Sequence, residues 1–416
     1  FFVQILVEQY FMNSYRLYFL ILIIFAIAFR LLAIIYFGDT RIENEWATIL
    51  LNLETHNVLA LRTISGEIIP NIFMPPLYPV FLYFLKLINP SGFDFVNFVL
   101  YTQLILSIIS IYYFKKLLAL FYKTNLTYLG VLVFSLFPLS VYSVSQISSI
   151  SIQVFLLVIF FYNLFSYIKN RKNITLICFS IFSALLIHLR GEFFIFYFFS
   201  LIFILFTNKN ITKLILSLII VSLISSPYLI RNYKIFNVIT ITESFGYNLW
   251  KGNNKYYKGF NLKGVEGNEE FNQELQSKIA NINISKKYDL DRDLIFKEEA
   301  IKNIKSEPFK YFKFYLKKFI SYLFFNFSEE EKYNHLLYII PKLLISISTL
   351  FGILYLIADK KNILNFLSLY YLSNVALFSI FFILPRYSLI TLPIQVILSC
   401  YFIKKLNIKI FNKILC

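Results

Sequence analysis

The feature that most constrains this chain is the length of its apolar runs that lack charged side chains. The stretch from Thr124 to Ile168 holds no Asp, Glu, Lys or Arg, and it is long enough for two membrane-spanning helices. Charged residues are only 15% of the 416 residues, whereas soluble domains carry roughly 25%. Because so little charge cannot cover a water-facing surface, a soluble enzyme is excluded. The runs are continuous rather than alternating, which predicts helices rather than barrel strands.

The sequence therefore predicts an all-α membrane protein, a multi-pass helical bundle with about ten spans and a range of about nine to twelve. Two further runs are predicted to lie on the membrane without crossing it. Ile72–Ile88 contains three prolines, which remove backbone donors, and Phe309–Phe327 has the lysine-rich pattern of an amphipathic surface helix. Besides the two spans in 124–168, the predicted spans are Leu17–Phe37, Phe98–Phe114, Ile174–Leu189, Phe193–Phe206, Leu214–Ile230, Leu336–Ala358, Asn362–Pro385 and Tyr387–Ile403.

The net charge of +17 indicates how these spans are oriented. In a soluble protein such an excess would suggest nucleic acid, but here the basic residues lie between apolar runs, next to anionic lipid headgroups. We therefore expect membrane lipids as partners and no nucleic acid. If neither of the two surface runs crosses, the positive-inside rule places both termini and the basic clusters in the cytoplasm. The clusters are Lys115, Lys116 and Lys123; Lys169, Arg171 and Lys172; Lys209 and Lys213; Lys360 and Lys361; and Lys404, Lys405, Lys409 and Lys413.

Three regions follow from this arrangement. Residues 1–234 form an N-terminal membrane module, which includes a first outer loop over 38–74 and the interfacial proline-rich segment over 72–88. Residues 235–308 form a hydrophilic outer loop, the only long polar stretch of the chain. Residues 309–416 contain the amphipathic helix and the C-terminal spans.

Ionisable residues concentrate where the predicted spans reach the outer surface. Carboxylates suit a general base or a metal ligand, and arginines suit a phosphate group. A lipid-phosphate substrate would need both at this depth, so the pattern predicts a site at the outer lipid–water boundary. Its residues are Asp39, Glu43 and Glu45 after the first span, Arg190 and Glu192 after the fifth, with His188 beside them, Arg231 after the seventh and Arg386 after the ninth.

Each of these residues also has an ordinary structural interpretation, and the sequence leaves both open. The acids would cap a short helix or lie on its water-exposed face. The arginines would pair locally or extend to lipid headgroups. The specific alternatives are an N-cap at Asp39 for a helix over Arg41–Leu53, a solvated face for Glu43 and Glu45, a turn clasp between Arg190 and Glu192, a headgroup contact for Arg386 and a hydrogen-bonded structural role for His188.

Two motifs near the N-terminus resemble a known family. Gly38-Asp39 ends the first span, and Met74-Pro75-Pro76-Leu77-Tyr78-Pro79 follows about thirty-five residues later. This arrangement resembles the GT-C membrane glycosyltransferases, in particular the protein-mannosyltransferase family and its bacterial aminoarabinose-transferase relatives. In that family an acidic residue follows the first span, and a Pro-Pro segment precedes the next one. Asp39 matches the acidic position, and Glu43 or Glu45 would be the neighbouring acid.

Later motifs extend the resemblance to roughly residues 15–400. Pro227–Tyr233 is similar to a Pro-aromatic-x-x-Arg-Asn pattern, and Gly246–Asn254 is similar to the Gly-x-Asn-Leu-Trp-x-Gly-Asn-Asn that follows it. Pro385-Arg386-Tyr387 resembles an Arg-Tyr pattern in the late spans. One departure concerns Ser140–Ser151, which has Gln146 and serines where relatives often carry an acid, so a divalent metal is left open.

The resemblance implies a fold and an activity. The fold would be of GT-C type, with outer-face loops, in a bacterial cytoplasmic membrane. The protein would move a sugar from a polyprenyl-phosphate carrier to an acceptor outside the cytoplasm, with Asp39 as base and Arg190, Arg231 or Arg386 at the phosphate. The sugar and the acceptor are not specified. Two other functions remain open, a flippase or transporter of lipid-linked sugars and an O-antigen polymerase or ligase type of enzyme.

Overall fold

The computed structural model describes residues 2–255, 273–325, 335–359 and 363–414. The described part is a helical bundle with a single two-stranded antiparallel sheet. In its N-terminal portion the elements are α1 (Phe2–Phe37), α2 (Asn44–His56), β1 (Ala60–Ile64), β2 (Glu67–Pro70), α3 (Leu77–Ile88), α4 (Phe95–Ala119), α5 (Thr124–Leu136), α6 (Pro138–Tyr142), a 3₁₀ turn (Ser143–Ser145), α7 (Ile150–Asn170), α8 (Asn173–Leu189), α9 (Phe193–Asn208) and α10 (Ile211–Phe236).

The C-terminal portion begins with shorter helices and ends with two long ones. It contains α11 (Phe245–Gly252), α12 (Gln273–Ala280), α13 (Tyr288–Ser306), α14 (Pro308–Leu323), α15 (Leu336–Ala358), α16 (Asn365–Phe378), a 3₁₀ segment (Pro385–Thr391) and α17 (Leu392–Ile414).

Six helical segments of the described chain are long and apolar enough to cross a membrane, which makes this an all-α, multi-pass membrane protein. A seventh crossing is counted if α5 and the segment Pro138–Ser145, which meet at a bend of 52°, form one span. The six segments are Tyr15–Phe37, Phe95–Ala119, Ile150–Asn170, Ile211–Phe236, Leu336–Ala358 and Arg386–Leu406.

The expected count of about ten spans is therefore higher than the structure supports. A helix lies within each of the ten predicted runs, but α8, α9 and α16 have only 17, 16 and 14 residues. A straight span needs about 20. Hydropathy overcounts because apolar residues continue past the end of a helix, as in the run Asn362–Pro385, where α16 already ends at Phe378. Asn362 itself lies outside the described residues, as do Lys360 and Lys361.

The two runs predicted to stay on the membrane surface are not among the span-length apolar helices. In Ile72–Ile88 a helix forms only after Pro75-Pro76, as the 12-residue α3. Phe309–Phe327 contains the 16-residue α14, which buries Tyr311, Tyr322 and the whole side chain of Lys318. The Lys318 Nζ donates to the carbonyl oxygens of Gly252 at 3.1 Å and Ile380 at 3.2 Å. The last two residues of that run, 326 and 327, lie outside the described residues.

The core of the bundle surrounds α7. Its apolar window is 83% buried, whereas the window of α10 is only 17% buried. Around α7 the packing is largely aromatic, with Phe160 against Phe179 and Phe193 and with Phe161 against Tyr370. Long helices such as α10 expose apolar side chains over most of their surface, which is stable against lipid tails and not against water.

Helices α11 to α13 form a small separate core beside the bundle, built on Leu249, Trp250 and Phe296. Asp293 caps α11, because its carboxylate accepts the backbone N–H groups of Gly246 and Tyr247, each at 2.8 Å. A Cβ at Gly246 would lie 2.0 Å from the Asp293 carbonyl oxygen, so only glycine fits there. The Gly-x-Asn-Leu-Trp motif therefore serves helix packing in this part of the chain.

A candidate active site at one end of the bundle

A cavity of about 330 Å³ opens where α1 ends. It brings together five residues that the sequence singled out, the acids Asp39, Glu43 and Glu45 and the arginines Arg190 and Arg386. They come from widely separated parts of the chain, so the clustering is a property of the fold. The other lining residues are Arg41, Trp46, Met74, Pro75, Tyr78, Gln146, Ile147, Ser148, Ser149, Ile150, Leu189 and Tyr387.

Asp39 is held in place by the segment that precedes α7. Its backbone N–H donates to the Ser145 carbonyl oxygen at 2.9 Å, and its Oδ2 accepts the Ile147 N–H at 2.6 Å. Burial raises the pKa of the Asp39 carboxyl, the Ile147 hydrogen bond opposes that rise, and the nearby charge of Glu43 adds to it. A carboxylate with a raised pKa and one oxygen free of the Ile147 bond is suited to accept a proton.

The other two acids lie at the start of α2. The predicted helix over Arg41–Leu53 begins instead at Asn44, with Glu43 as its N-cap residue, so Asp39 does not cap it. Glu43 pairs with Arg41 at 2.5 Å, and both side chains are exposed. Glu45 lies in the first turn and lines the cavity.

One wall of the cavity is aromatic and is positioned by the proline-rich segment. The Asn71 side chain closes a turn, since its Oδ1 accepts the Met74 N–H and its Nδ2 donates to the Met74 carbonyl, each at 2.8 Å. This turn presents Met74 and Pro75 to the cavity and starts α3. The buried ring of Tyr78 then meets the edge of Trp46, with ring centroids 4.9 Å apart. Such rings supply a flat apolar face of the kind that sugars contact.

Arg190 lies directly after α8 and lines the same cavity as the acids. Its Nε donates to the Gln153 side-chain oxygen at 3.4 Å, its Nη1 is 3.7 Å from a Glu192 carboxylate oxygen, and its guanidinium lies 5.1 Å from the Tyr387 ring centroid. The turn clasp with Glu192 and the cavity-lining position therefore coexist. Glu192 pairs with Arg190 but does not itself line the cavity.

Arg386 reaches the cavity from the 3₁₀ segment before α17. It is exposed, and no ion pair to it is found in the described parts of the chain. Together with Arg190 it brings two cations to the cavity that Asp39 and Glu45 also line. This arrangement can bind an anionic group on one side and accept a proton on the other.

Besides Glu192, two residues that the sequence grouped with the site, Arg231 and His188, lie outside the cavity. Arg231 donates to the carbonyl oxygens of Asn71 at 2.8 Å and Leu59 at 3.4 Å, and so anchors the Asn71 turn. His188 is buried, with Nδ1 2.8 Å from the Ala184 carbonyl oxygen. Arg231 can therefore influence the site through Asn71, whereas His188 has the structural contacts of a core histidine.

The cavity-lining and supporting residues that the sequence did not assign to the site are mainly uncharged. Trp46, Tyr78, Gln146, Ile147 and Tyr387 all line it. The one signal pointing to Gln146 was its position in Ser140–Ser151, the stretch in which the family resemblance would lead one to look for an acid. Ile147 acts through its backbone, for which no side-chain pattern exists.

No group of three or more His, Cys, Asp or Glu residues suited to a metal ion occurs among the residues that the structure describes. The acids at the cavity therefore do not form a ready metal-binding set. They are available for proton transfer or for hydrogen bonds to a polar ligand.

The fold and the cavity define an all-α multi-pass membrane protein with a mixed acid and arginine pocket at one end of its bundle. No protein-family model matches the chain, and no curated protein sequence matches it. The function of the pocket has to follow from the chemistry of its own residues.

Proposed function

We propose that the protein is a membrane glycosyltransferase that transfers a sugar from a polyprenyl-phosphate carrier to an acceptor hydroxyl. The observation that carries this proposal is the pairing, in one cavity of about 330 Å³, of the half-buried Asp39 carboxylate with Arg190 and Arg386. A lipid-phosphate sugar requires a cationic site for its phosphate and an acid–base group for the incoming hydroxyl. The resemblance of Gly38-Asp39 and the Pro-Pro segment to GT-C enzymes points to the same reaction.

In the proposed reaction Asp39 accepts the proton of the acceptor hydroxyl. The acceptor oxygen forms a bond to the anomeric carbon, and the bond from that carbon to the phosphate oxygen breaks. The electron pair leaves with the phosphate oxygen, so the second product is polyprenyl phosphate. Arg190 and Arg386 stabilise the negative charge that grows on this oxygen, which is the usual role of arginines at a leaving phosphate.

The surface around the cavity supports a lipid substrate. Ile35, Tyr36 and Phe37, the last residues of α1 before the cavity, are 70%, 74% and 62% exposed. An apolar chain attached to a phosphate in the cavity can continue along these side chains into the lipid. A free sugar nucleotide would gain nothing from such a surface.

Basic residues at the other end of the bundle support an outward-facing site. Lys115 lies 3.9 Å from the Phe19 ring centroid near the start of the first span, and Lys116 lies near Tyr162 toward the end of α7. Arg171 donates to the Thr207 carbonyl at 3.0 Å, which places another basic cluster at the same end. By the positive-inside rule that end would face the cytoplasm, and the cavity would open on the outer side of a bacterial cytoplasmic membrane.

The proposal is tested by identifying the lipid that copurifies with the protein. The protein is extracted in mild detergent, and bound lipids are identified by native mass spectrometry for the wild type, Arg190→Ala and Arg386→Ala. We expect a polyprenyl-phosphate sugar on the wild type and its loss from both variants. Lys172→Ala, which removes a cation at the opposite end, is the control and should keep the lipid.

Two outcomes would overturn the proposal. One is the absence of any polyprenyl-phosphate species on gently purified wild-type protein that also fails to bind added polyprenyl-phosphate sugar. The other is movement of such a lipid across proteoliposomes with its glycosidic bond intact and no transfer to any acceptor, because that result would identify a flippase.

A further inference from the structure

Arg30 is a charged residue fully buried within the first span. Its Nε donates to the Ser107 hydroxyl at 2.9 Å, and its Nη1 donates to the carbonyl oxygens of Ser135 at 2.9 Å and Ala26 at 3.1 Å. Burying a cation in a membrane bundle is expensive, so its contacts have to offset that cost. In the described parts of the chain its contacts join α1 to α4 and to the end of α5, and all three acceptors are uncharged oxygens.

The Ser135 carbonyl is free to accept because α5 ends there. The next helix begins at Pro138, which has no N–H, and the chain bends by 52° between the two helices. The last carbonyls of a helix have no partner within it and carry its partial negative charge. The Arg30 guanidinium satisfies one of these carbonyls and compensates that charge, so it holds the bend.

The bend directs the chain to Asp39. After α6 and the 3₁₀ turn, Ser145 accepts the Asp39 N–H and Ile147 donates to the Asp39 carboxylate. Gln103, one turn from Ser107 on the same face of α4, fixes this segment from behind. Its buried Nε2 donates to the carbonyls of Val144 at 3.3 Å and Gln146 at 2.9 Å.

Gln103 also contacts a cavity-lining residue of α3. Its Oε1 accepts the hydroxyl of Tyr78 at 3.3 Å, and Tyr78 lines the cavity beside Trp46. The amide group of one buried side chain therefore connects the 144–147 segment to α3. A hydrophobic residue of similar size would fill the space but make none of these three bonds.

We propose that Arg30 and Gln103 are positioning residues for the Asp39 carboxylate. Arg30 fixes the bend between α5 and α6, and Gln103 fixes the segment 144–147 that follows it. Neither residue lines the cavity, so both reach Asp39 through the segment 144–147, whose Ser145 and Ile147 hold it. The assignment of Asp39 as the base rests on the proposed function, whereas the positioning itself is a property of the fold.

Hydrogen–deuterium exchange measures this positioning without any substrate. We compare Arg30→Met, Arg30→Lys and Gln103→Leu with wild type in peptides that cover residues 36–42 and 143–150. Gln395→Leu is the matched control, since Gln395 is equally buried and donates to the Tyr371 hydroxyl at 2.9 Å, away from the cavity. We expect exchange at the Asp39 and Ile147 amides to become about tenfold faster in Arg30→Met and Gln103→Leu, which corresponds to about 1.4 kcal/mol. It should be intermediate in Arg30→Lys and unchanged in Gln395→Leu.

A second measurement separates positioning from general destabilisation. With a polyprenyl-phosphate sugar as donor, Gln103→Leu should lower kcat about tenfold with the donor KM within about twofold of wild type. Arg30→Lys should recover part of the kcat lost in Arg30→Met. Equal loss in Gln395→Leu would show that any buried glutamine matters, and would overturn the positioning role.

The outcomes of these measurements are distinguishable. Unchanged exchange at both amides in folded Gln103→Leu and Arg30→Lys refutes the proposal, and these two variants keep the test available if Arg30→Met does not fold. Faster exchange in a protein that shows no transfer even as wild type would support the positioning and count against the proposed function.

Discussion

Replacement of Asp39 by asparagine separates catalysis from structure, because the asparagine keeps the shape of the carboxylate. Its side-chain oxygen can still accept the Ile147 N–H, which donates to Asp39 at 2.6 Å, and its backbone N–H can still donate to Ser145. What is lost is the negative charge and the ability to take a proton. The Asp39→Asn variant thus preserves the contacts of the site while removing the proposed base.

The Asp39→Asn substitution should change the stability of the fold much less than the reaction rate. Exchanging a charged acceptor for a neutral one at a single hydrogen bond costs about 1 kcal/mol, and burying a neutral amide in place of a carboxylate offsets part of this. Loss of a general base lowers the rate by about 10² to 10⁴, or about 3 to 5 kcal/mol in the barrier. We therefore expect a nearly unchanged melting temperature and a rate lower by at least about two orders of magnitude.

The assay measures release of polyprenyl phosphate by the purified protein in proteoliposomes that contain a panel of polyprenyl-phosphate hexoses and pentoses. Asp94→Asn is the control, because the Asp94 carboxylate likewise accepts a backbone N–H, that of Asn97 at 2.8 Å, but lies outside the cavity. It loses the same charge and should keep wild-type activity. A folded Asp39→Asn variant with more than about a tenth of the wild-type rate would refute the role of Asp39 as base.

Three further outcomes are expected. Because burial raises the pKa of Asp39, kcat/KM should fall on acidification with an apparent pKa above the ordinary aspartate value of about 3.9. A rate that does not depend on pH in that region would contradict the role of Asp39 as the base. Arg190→Gln should weaken donor binding with little change in thermal stability. Arg231→Gln loses hydrogen bonds to the carbonyl oxygens of Asn71 and Leu59 and should lower the melting temperature. Equal melting temperatures of the two variants in a thermal scan would contradict their separate roles. Asp293→Ala leaves two α11 N–H groups without their acceptor and should lower the free energy of unfolding of the α11–α13 part by about 2 kcal/mol or more. Trp250 emission during denaturation measures this change. An unchanged transition would contradict the capping role of Asp293.

Features set by short-range sequence rules were predicted well. The prolines of Ile72–Ile88 remove backbone donors, and the only helix in that run is the 12-residue α3, which is shorter than a membrane span. The absence of charge from Thr124 to Ile168 predicted membrane helices there, and apolar helices lie in that run, although the bend at Pro138 was not predicted. The number of spans was predicted less well, because composition does not show where an apolar run leaves the helix, as it does after Phe378.

Contacts between distant parts of the chain explain what the sequence could not show about the site. Arg190 and Arg386 meet Asp39 as their positions at helix ends suggested, but Arg231, with the same kind of position, bonds to carbonyls at residues 59 and 71 instead. The Ile147 N–H is a backbone donor and carries no residue signature. Arg30 was visible as the only charge in its run, yet its partners Ser107 and Ser135 belong to other helices.

If the protein is a transferase, its cavity breaks the sugar–phosphate bond of the donor, and a donor labelled on both sides of that bond shows whether it does. Wild-type protein is placed in sealed proteoliposomes with a polyprenyl-phosphate sugar labelled in both the sugar and the phosphorus, together with a mixture of envelope acceptors. We expect the two labels to separate, with phosphorus remaining in polyprenyl phosphate and the sugar appearing on an acceptor. We expect Asp39→Asn to abolish this separation. Labels that stay together with every donor of the panel, in protein shown to bind the lipid, would contradict the account.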